Sequence, residues 1–265
     1  MLFLDREVAW CAGRTIRELI AVAGGLGIVV AEFVRPGAPD WGNLAVYVVA
    51  TVLLATRFFA ARAAAVGACI GAIVQQWPYL RLGDVDPLTL AVLPVVGIVL
   101  LASGDLVERF ERAPSRIAWL PNPWASFGAA QTRALRWSAY AAGALAGLLD
   151  HAAQTTAHAF AMHHHAVPLW PRVAEVAFVL ALLLVCLGRA VGVLLVWVTA
   201  AAVLVIAGPL AWHAESALRA SDLVTLPIGW LPAAHYLLPI ALLAAAAAAI
   251  TTPSVARLLR RTLLG

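Results

Sequence analysis

The sequence predicts an all-α integral membrane protein of eight transmembrane helices with both termini cytoplasmic, and three observations lead there. The chain of 265 residues is 63% hydrophobic and only 12% charged, whereas a soluble domain carries roughly 25% charged residues. Its apolar residues gather into separate stretches near spanning length. Its arginines gather between alternate stretches.

The apolar stretches run over 18–34, 43–57, 63–78, 87–104, 137–162, 173–188, 190–209 and 234–252. About 20 apolar residues cross a bilayer core as a helix, and shorter ones do so where flanking groups snorkel. The first stretch follows Asp5, Arg6, Glu7, Arg14, Arg17 and Glu18, which form no cleavable signal pattern, so it is expected to stay as an anchor. The second and third are divided by Arg57 and Arg62, which flank Phe58 to Ala61 and read as a tight turn at the interface. The sixth and seventh are divided at Gly188-Arg189, because a single helix over 173–209 would run about 55 Å, too long for one span. The fourth and eighth carry Leu93-Pro94 and Leu238-Pro239. Their prolines would kink the helices, which a bundle tolerates.

The arginines test this count. All 18 basic residues are Arg, which with the wealth of Ala reads as high-GC codon bias and suggests a bacterial cytoplasmic membrane. The cytoplasmic segments would hold Arg6, Arg14, Arg17, Arg57, Arg62, Arg109, Arg112, Arg116, Arg133, Arg136, Arg189, Arg257, Arg260 and Arg261. The outer ones would hold only Arg35, Arg81, Arg172 and Arg219. That asymmetry is a positive-inside signal. Trp41, Trp77, Trp170, Trp212 and Trp230 then fall at the outer interface, with Trp119, Trp124 and Trp137 at the inner one. Arginines spread this thinly between apolar segments exclude a nucleic-acid partner. The expected partners are the lipid bilayer and other membrane subunits. Cys11, Cys69 and Cys186 stand far apart and read as small apolar fillers.

The longest polar connection separates residues 1–104, a first four-helix half, from 137–265, a second one containing the His-rich fifth helix. The connection itself, 105–136, is expected to lie along the inner headgroups, since Leu120-Pro121-Asn122-Pro123-Trp124 cannot be helical throughout. The halves echo each other as tandem repeats would. Each has a basic turn between its second and third helices, Thr56-Arg57 and Gly188-Arg189. Each then has R-x-x-D, Arg81 to Asp84 and Arg219 to Asp222. Four-helix groups with such basic turns resemble the DoxX-like membrane families, some of which are associated with quinone or thiol redox. The resemblance covers both halves at the level of topology and matches no catalytic motif residue by residue. It implies redox chemistry and assigns no site.

The fifth helix carries the chemistry. Its first half is small and apolar, with Gly143 and Gly147 spaced as GxxxG, a pattern that suits close helix packing. Its character then changes to Asp150-His151, Gln154, Thr155, Thr156, His158, Met162 and His163 to His165. Positions 151, 154, 158, 162 and 165 share one face. An Asp near the bilayer centre costs roughly 2.5–3.5 kcal/mol on insertion scales, so Asp150 needs a partner from another helix or stays protonated.

Three readings of this stripe compete. In the first, His151, His158, Asp150 and Met162 bind Cu or Zn on the outer side, with His165, His213 and His235 completing the shell and Glu175 or Glu215 adding ligands. In the second, helix histidines ligate haem or chlorophyll, or hydrogen-bond a quinone carbonyl. In the third, the face only satisfies neighbouring helices and His163 to His165 are polar loop residues. The confinement of all seven histidines to the midplane or beyond favours a metal- or cofactor-binding protein in redox or copper handling at the outer face. A non-catalytic subunit of a respiratory or photosynthetic complex comes next, then a proton-coupled transporter using Asp150 and His151. The loop 210–233, with Trp212, His213, Glu215 and Trp230, is expected to lie over the bundle mouth as a lid. Nothing resembles a P-loop, GxGxxG, HExxH or Ser-His-Asp pattern, so a soluble-type hydrolase or nucleotide enzyme is not expected.

Overall fold

The structure is a computed structural model that describes residues 3–8, 11, 13–34, 41–77, 86–114, 122–162, 168–220 and 234–264. Side chains are described throughout these except at 3, 31–32, 41–47, 86–91, 156, 158–162, 220 and 259–264. It is mostly helical. Eight long helices follow the eight apolar stretches one for one: α1 Ile16–Val34, α2 Trp41–Ala55, α3 Ala61–Gln75, α4 Asp86–Leu101, α5 Ala129–Met162, α6 Trp170–Cys186, α7 Ala190–Ala220 and α8 Ala234–Leu264.

Two of them are long and apolar enough by themselves to cross a membrane, α7 over Ala190–Arg219 and α8 over Ala234–Leu258. The other six are shorter or more polar, which corrects the expectation that every stretch reads as an autonomous span. Apolar side chains nevertheless project outward from most of the bundle: Leu26 and Phe33 on α1, Val49 and Val52 on α2, Val96 and Val99 on α4, Val173 and Leu183 on α6, Val198 and Val205 on α7, Leu242 and Ile250 on α8. Helices α3 and α5 carry almost none, because other helices enclose them.

The reason is close backbone packing. A Cβ on Gly67 would stand 2.7 Å from Tyr140 O, and one on Gly71 would stand 2.7 Å from Ala144 O. Gly143 meets the opposite wall, 3.2 Å from Ala64 O. Glycine is therefore required where α3 crosses α5. Gly147 meets nothing within 4 Å, so only the first glycine of the expected GxxxG pair seats a helix. Helix α5 also packs on α6 and α8, and α7 packs against both of these. The core between them is built from Leu145, Leu148 and Leu149 of α5, Phe178 of α6, Val196 and Val203 of α7, and Leu237 and Ile240 of α8.

Turns fall where the sequence places them. Gly188 adopts φ +69 between α6 and α7, and a Cβ there would stand 2.9 Å from Phe127 Cε2. Between α2 and α3 the left-handed residue is Arg57, at φ 53. An arginine accepts that strain because its guanidinium is held by Glu18 Oε2 at 2.5 Å and Gly13 O at 3.1 Å. Glu18 itself accepts from Thr15 N at 3.0 Å while Thr15 Oγ1 accepts from Glu18 N at 3.3 Å. That capping box starts α1. Just before it, β1 Glu7–Val8 pairs antiparallel with β2 Arg14–Thr15, a ribbon that no sequence pattern announced.

The linker differs most from expectation. It opens with one helical turn, Gly104–Val107, which runs into a π turn, Glu108–Arg112, and a 3-10 turn follows at Pro123–Ser126. Trp124 is fully buried and its Nε1 donates to Val185 O at 3.0 Å. Asn122 fixes the turn, accepting from Trp124 N at 2.9 Å and donating to Ala113 O at 2.8 Å. The described parts of the linker thus pack into the bundle, and Trp124 is buried against the end of α6 rather than placed at an interface. Partial burial pulls the Arg109 guanidinium down, but hydrogen bonds to Glu7 and Asp105 leave it above its ordinary value, tying the N-terminal ribbon to the linker. Helix α5 begins at Ala129, inside the expected linker, and α7 runs on to Ala220, so Trp212, His213 and Glu215 are helical rather than part of a lid. The rest of that lid, 221–233, lies outside the described residues, as do Arg81, Asp84 and Asp222 of the R-x-x-D echoes.

Candidate functional site

The polar half of α5 is met by α6 and α8. Its Asp150 and the first turn of α6 lie side by side: Arg172 Nη1 donates to Asp150 Oδ1 at 2.6 Å and to Glu175 Oε2 at 2.7 Å. Gln154 Nε2 donates to the other oxygen of Asp150 at 2.9 Å, as residues four apart on a helix can. Asp150 has the partner on another helix that its burial cost demands. It sits level with the start of α6, twelve residues before α5 ends at Met162.

One step around α5, half-buried His151 turns to α8. Its Nε2 lies 2.9 Å from Tyr236 Oη, a hydrogen bond whose direction the imidazole tautomer sets. The rings meet edge to face at 5.0 Å between centroids. Tyr236 is buried. Thr155 Oγ1 donates to His151 O at 2.9 Å, so both ends of the residue are held. Where α5 passes the starts of α6 and α8 it therefore carries two polar contacts side by side, the histidine–tyrosine pair and the ion set of Asp150, Arg172 and Glu175.

The remaining expected ligands are dispersed. His213 is exposed on α7, and His235 is half-buried at the start of α8. His158 and Met162 lie on α5 beyond the described side chains, and His165 lies outside the described residues. Among the described residues no three His, Cys, Asp or Glu side chains are grouped as a metal would require. Asp150 and His151 are brought together with partners, but those partners are Arg172 and Tyr236 rather than further ligands.

A second cluster, beside the first turns of α5, was not legible. Glu111, with 0% of its side chain exposed, is gripped by Arg62 through Nε at 3.1 Å and Nη2 at 2.6 Å. Arg136 adds Nη2 to Glu111 Oε2 at 2.5 Å. Arg62 Nη1 donates to Leu101 O at 2.6 Å and its Nη2 to Tyr140 Oη at 3.1 Å. Arg62, expected at the interface, is 1% exposed. The only signal was Glu111 in a Glu-Arg-Phe-Glu-Arg run, whose π turn rotates it inward while Glu108 and Arg112 stay out as an exposed pair. A charge run read by composition alone looks solvated throughout.

No family model, curated protein or solved structure matches the chain. Its chemistry has to be read from these two clusters. The inner one is closed by mutual pairing. The other holds exposed Gln154, an ion set and a histidine–tyrosine pair.

Proposed function

We propose that this chain is a polytopic protein of the bacterial cytoplasmic membrane, with eight spans in two four-helix halves and both termini inside. We further propose that it binds a small hydrogen-bonding cofactor of the quinone class at its outer face. The outward apolar side chains of six helices support the first part, since soluble monomers rarely expose such continuous apolar surface. So does the spacing of the polar ends: His235 to Arg257 on α8 corresponds to about 33 Å of helix, close to a hydrocarbon core of about 30 Å. Helices α3 and α5 need no apolar exterior because they are enclosed. The DoxX-like resemblance fits the same redox reading and adds no residue to it.

The observation that carries the second part is the 2.9 Å contact between His151 Nε2 and Tyr236 Oη. It engages a ring nitrogen that a metal would need, while Arg172 occupies Asp150. Hydrogen bonding to a carbonyl-bearing ligand suits that pair better than Cu or Zn ligation does. Purified protein tests the reading by metal analysis, an absorption spectrum and quinone extraction. Quinone that co-purifies and falls away in His151→Ala and Tyr236→Phe supports it. Stoichiometric copper or zinc without quinone would return the site to the metal reading, and neither would leave a structural subunit of a larger membrane complex.

A further inference from the structure

At the inner end of the bundle a groove of about 240 Å³ opens where the linker, α5, the α6–α7 turn and the end of α8 converge. Phe127, Leu135 and Val193 give it apolar walls, and Gln131, Ser254 and Arg257 give it a polar mouth. No carboxylate lines it. Most arginines elsewhere at this end are matched by acids, Arg17 with Asp5, Arg57 with Glu18, Arg62 and Arg136 with Glu111, Arg109 with Glu7 and Asp105, whereas Arg14 donates to Ala55 O. Around the groove the pattern changes. Arg257 donates its Nε to Pro253 O at 3.1 Å, which orients the guanidinium, and among the described residues no ion pair engages it. The same holds of exposed Arg133 and Arg189, which stand in sequence beside the lining residues Ala134 and Gly188.

An apolar slot with an unmatched cationic rim fits a ligand that has an anionic head and an apolar body. We infer that this groove binds an anionic phospholipid of the inner leaflet, its phosphodiester against Arg257 and Ser254 and an acyl chain along Phe127, Leu135 and Val193. Basic pockets between helices at the cytoplasmic side hold such headgroups. A free phosphate would leave the apolar walls unused. The inference rests on the membrane reading above, since it places the groove at headgroup depth.

The test is native mass spectrometry of the full chain in detergent, supplied with phosphatidylglycerol or with phosphatidylcholine of the same acyl chains. Phosphatidylglycerol should be retained over phosphatidylcholine. Retention should fall about fivefold in Arg257→Gln, the loss expected for one arginine near a lipid surface. It should also fall in Ala130→Trp, which obstructs the groove, and stay unchanged in Arg219→Gln at the opposite end. Equal retention of both lipids, or undiminished retention in Arg257→Gln, would overturn the inference. So would displacement by inorganic phosphate at the concentration of the lipid, which would make the groove a plain anion site. A chain that stays monodisperse without any detergent would instead overturn the membrane reading and the lipid with it, an outcome visible before lipid is added.

Discussion

Two arginines and one carboxylate meet with almost no water at Arg62, Glu111 and Arg136. A buried ion pair adds little over a well-packed apolar replacement, but removing one partner strands a charge and costs about 3–5 kcal/mol. Glu111→Ala should therefore lower unfolding stability in detergent by that order, and Glu111→Gln by less, because its amide oxygen still accepts. At the outer end, Tyr236→Phe removes one hydrogen bond, worth about 0.5–1.5 kcal/mol, and should leave the fold intact by circular dichroism while loosening His151. Half of this residue-scale picture was readable beforehand. A lone Asp among apolar residues demanded a partner, and Arg172 was among the few outer cations able to supply it. Tyr236 was hidden because a tyrosine beside a histidine at a helix start looks like an interfacial anchor, and only packing chooses which helix it faces.

Helix α5 is long, rather polar, and packed on four others, and its contact with α3 is made through glycine. Gly67→Leu and Gly143→Leu should each destabilise the bundle by about 1–3 kcal/mol or more, since the backbones opposite cannot yield. Gly147→Leu has open space and should be tolerated; Gly147→Ala should gain up to about 1 kcal/mol from helix propensity. Thermal unfolding of the four variants in one detergent checks the ordering, and equal effects at 67 and 147 would contradict the crossing. Helix existence was legible in every case because apolar runs of this length have few alternatives. Helix ends were not: α5 starts well before its apolar stretch and α7 and α8 continue well past theirs, carried by alanine and by polar residues that a composition window excludes. The GxxxG of α3, Gly67 to Gly71, was present in the sequence and outweighed the one on α5 in the structure. Spacing alone does not say which glycine faces a neighbour.

Among the described residues, charge gathers at two levels of the helices: arginines, paired and unpaired, around the α2–α3 turn, the linker and the start of α5, and the ion set of Asp150, Arg172 and Glu175. In a chain whose three native cysteines are replaced by alanine, single cysteines at Ser126 and Ser216 should label from opposite sides of sealed vesicles. Labelling of both from one side would remove the eight-span arrangement. The arginine asymmetry in the sequence leads to that arrangement, but it treats every arginine as a free cation. Many of those at the inner end are neutralised by named acids, which only the folded chain brings within reach. The enclosed position of α5 bears on how the protein is made. A segment carrying Asp150, His151 and Gln154 gains little by entering lipid alone, yet it fits against α3, which leaves the ribosome earlier. The first helices would then serve as an intramolecular chaperone, holding a glycine-lined berth open until the fifth arrives.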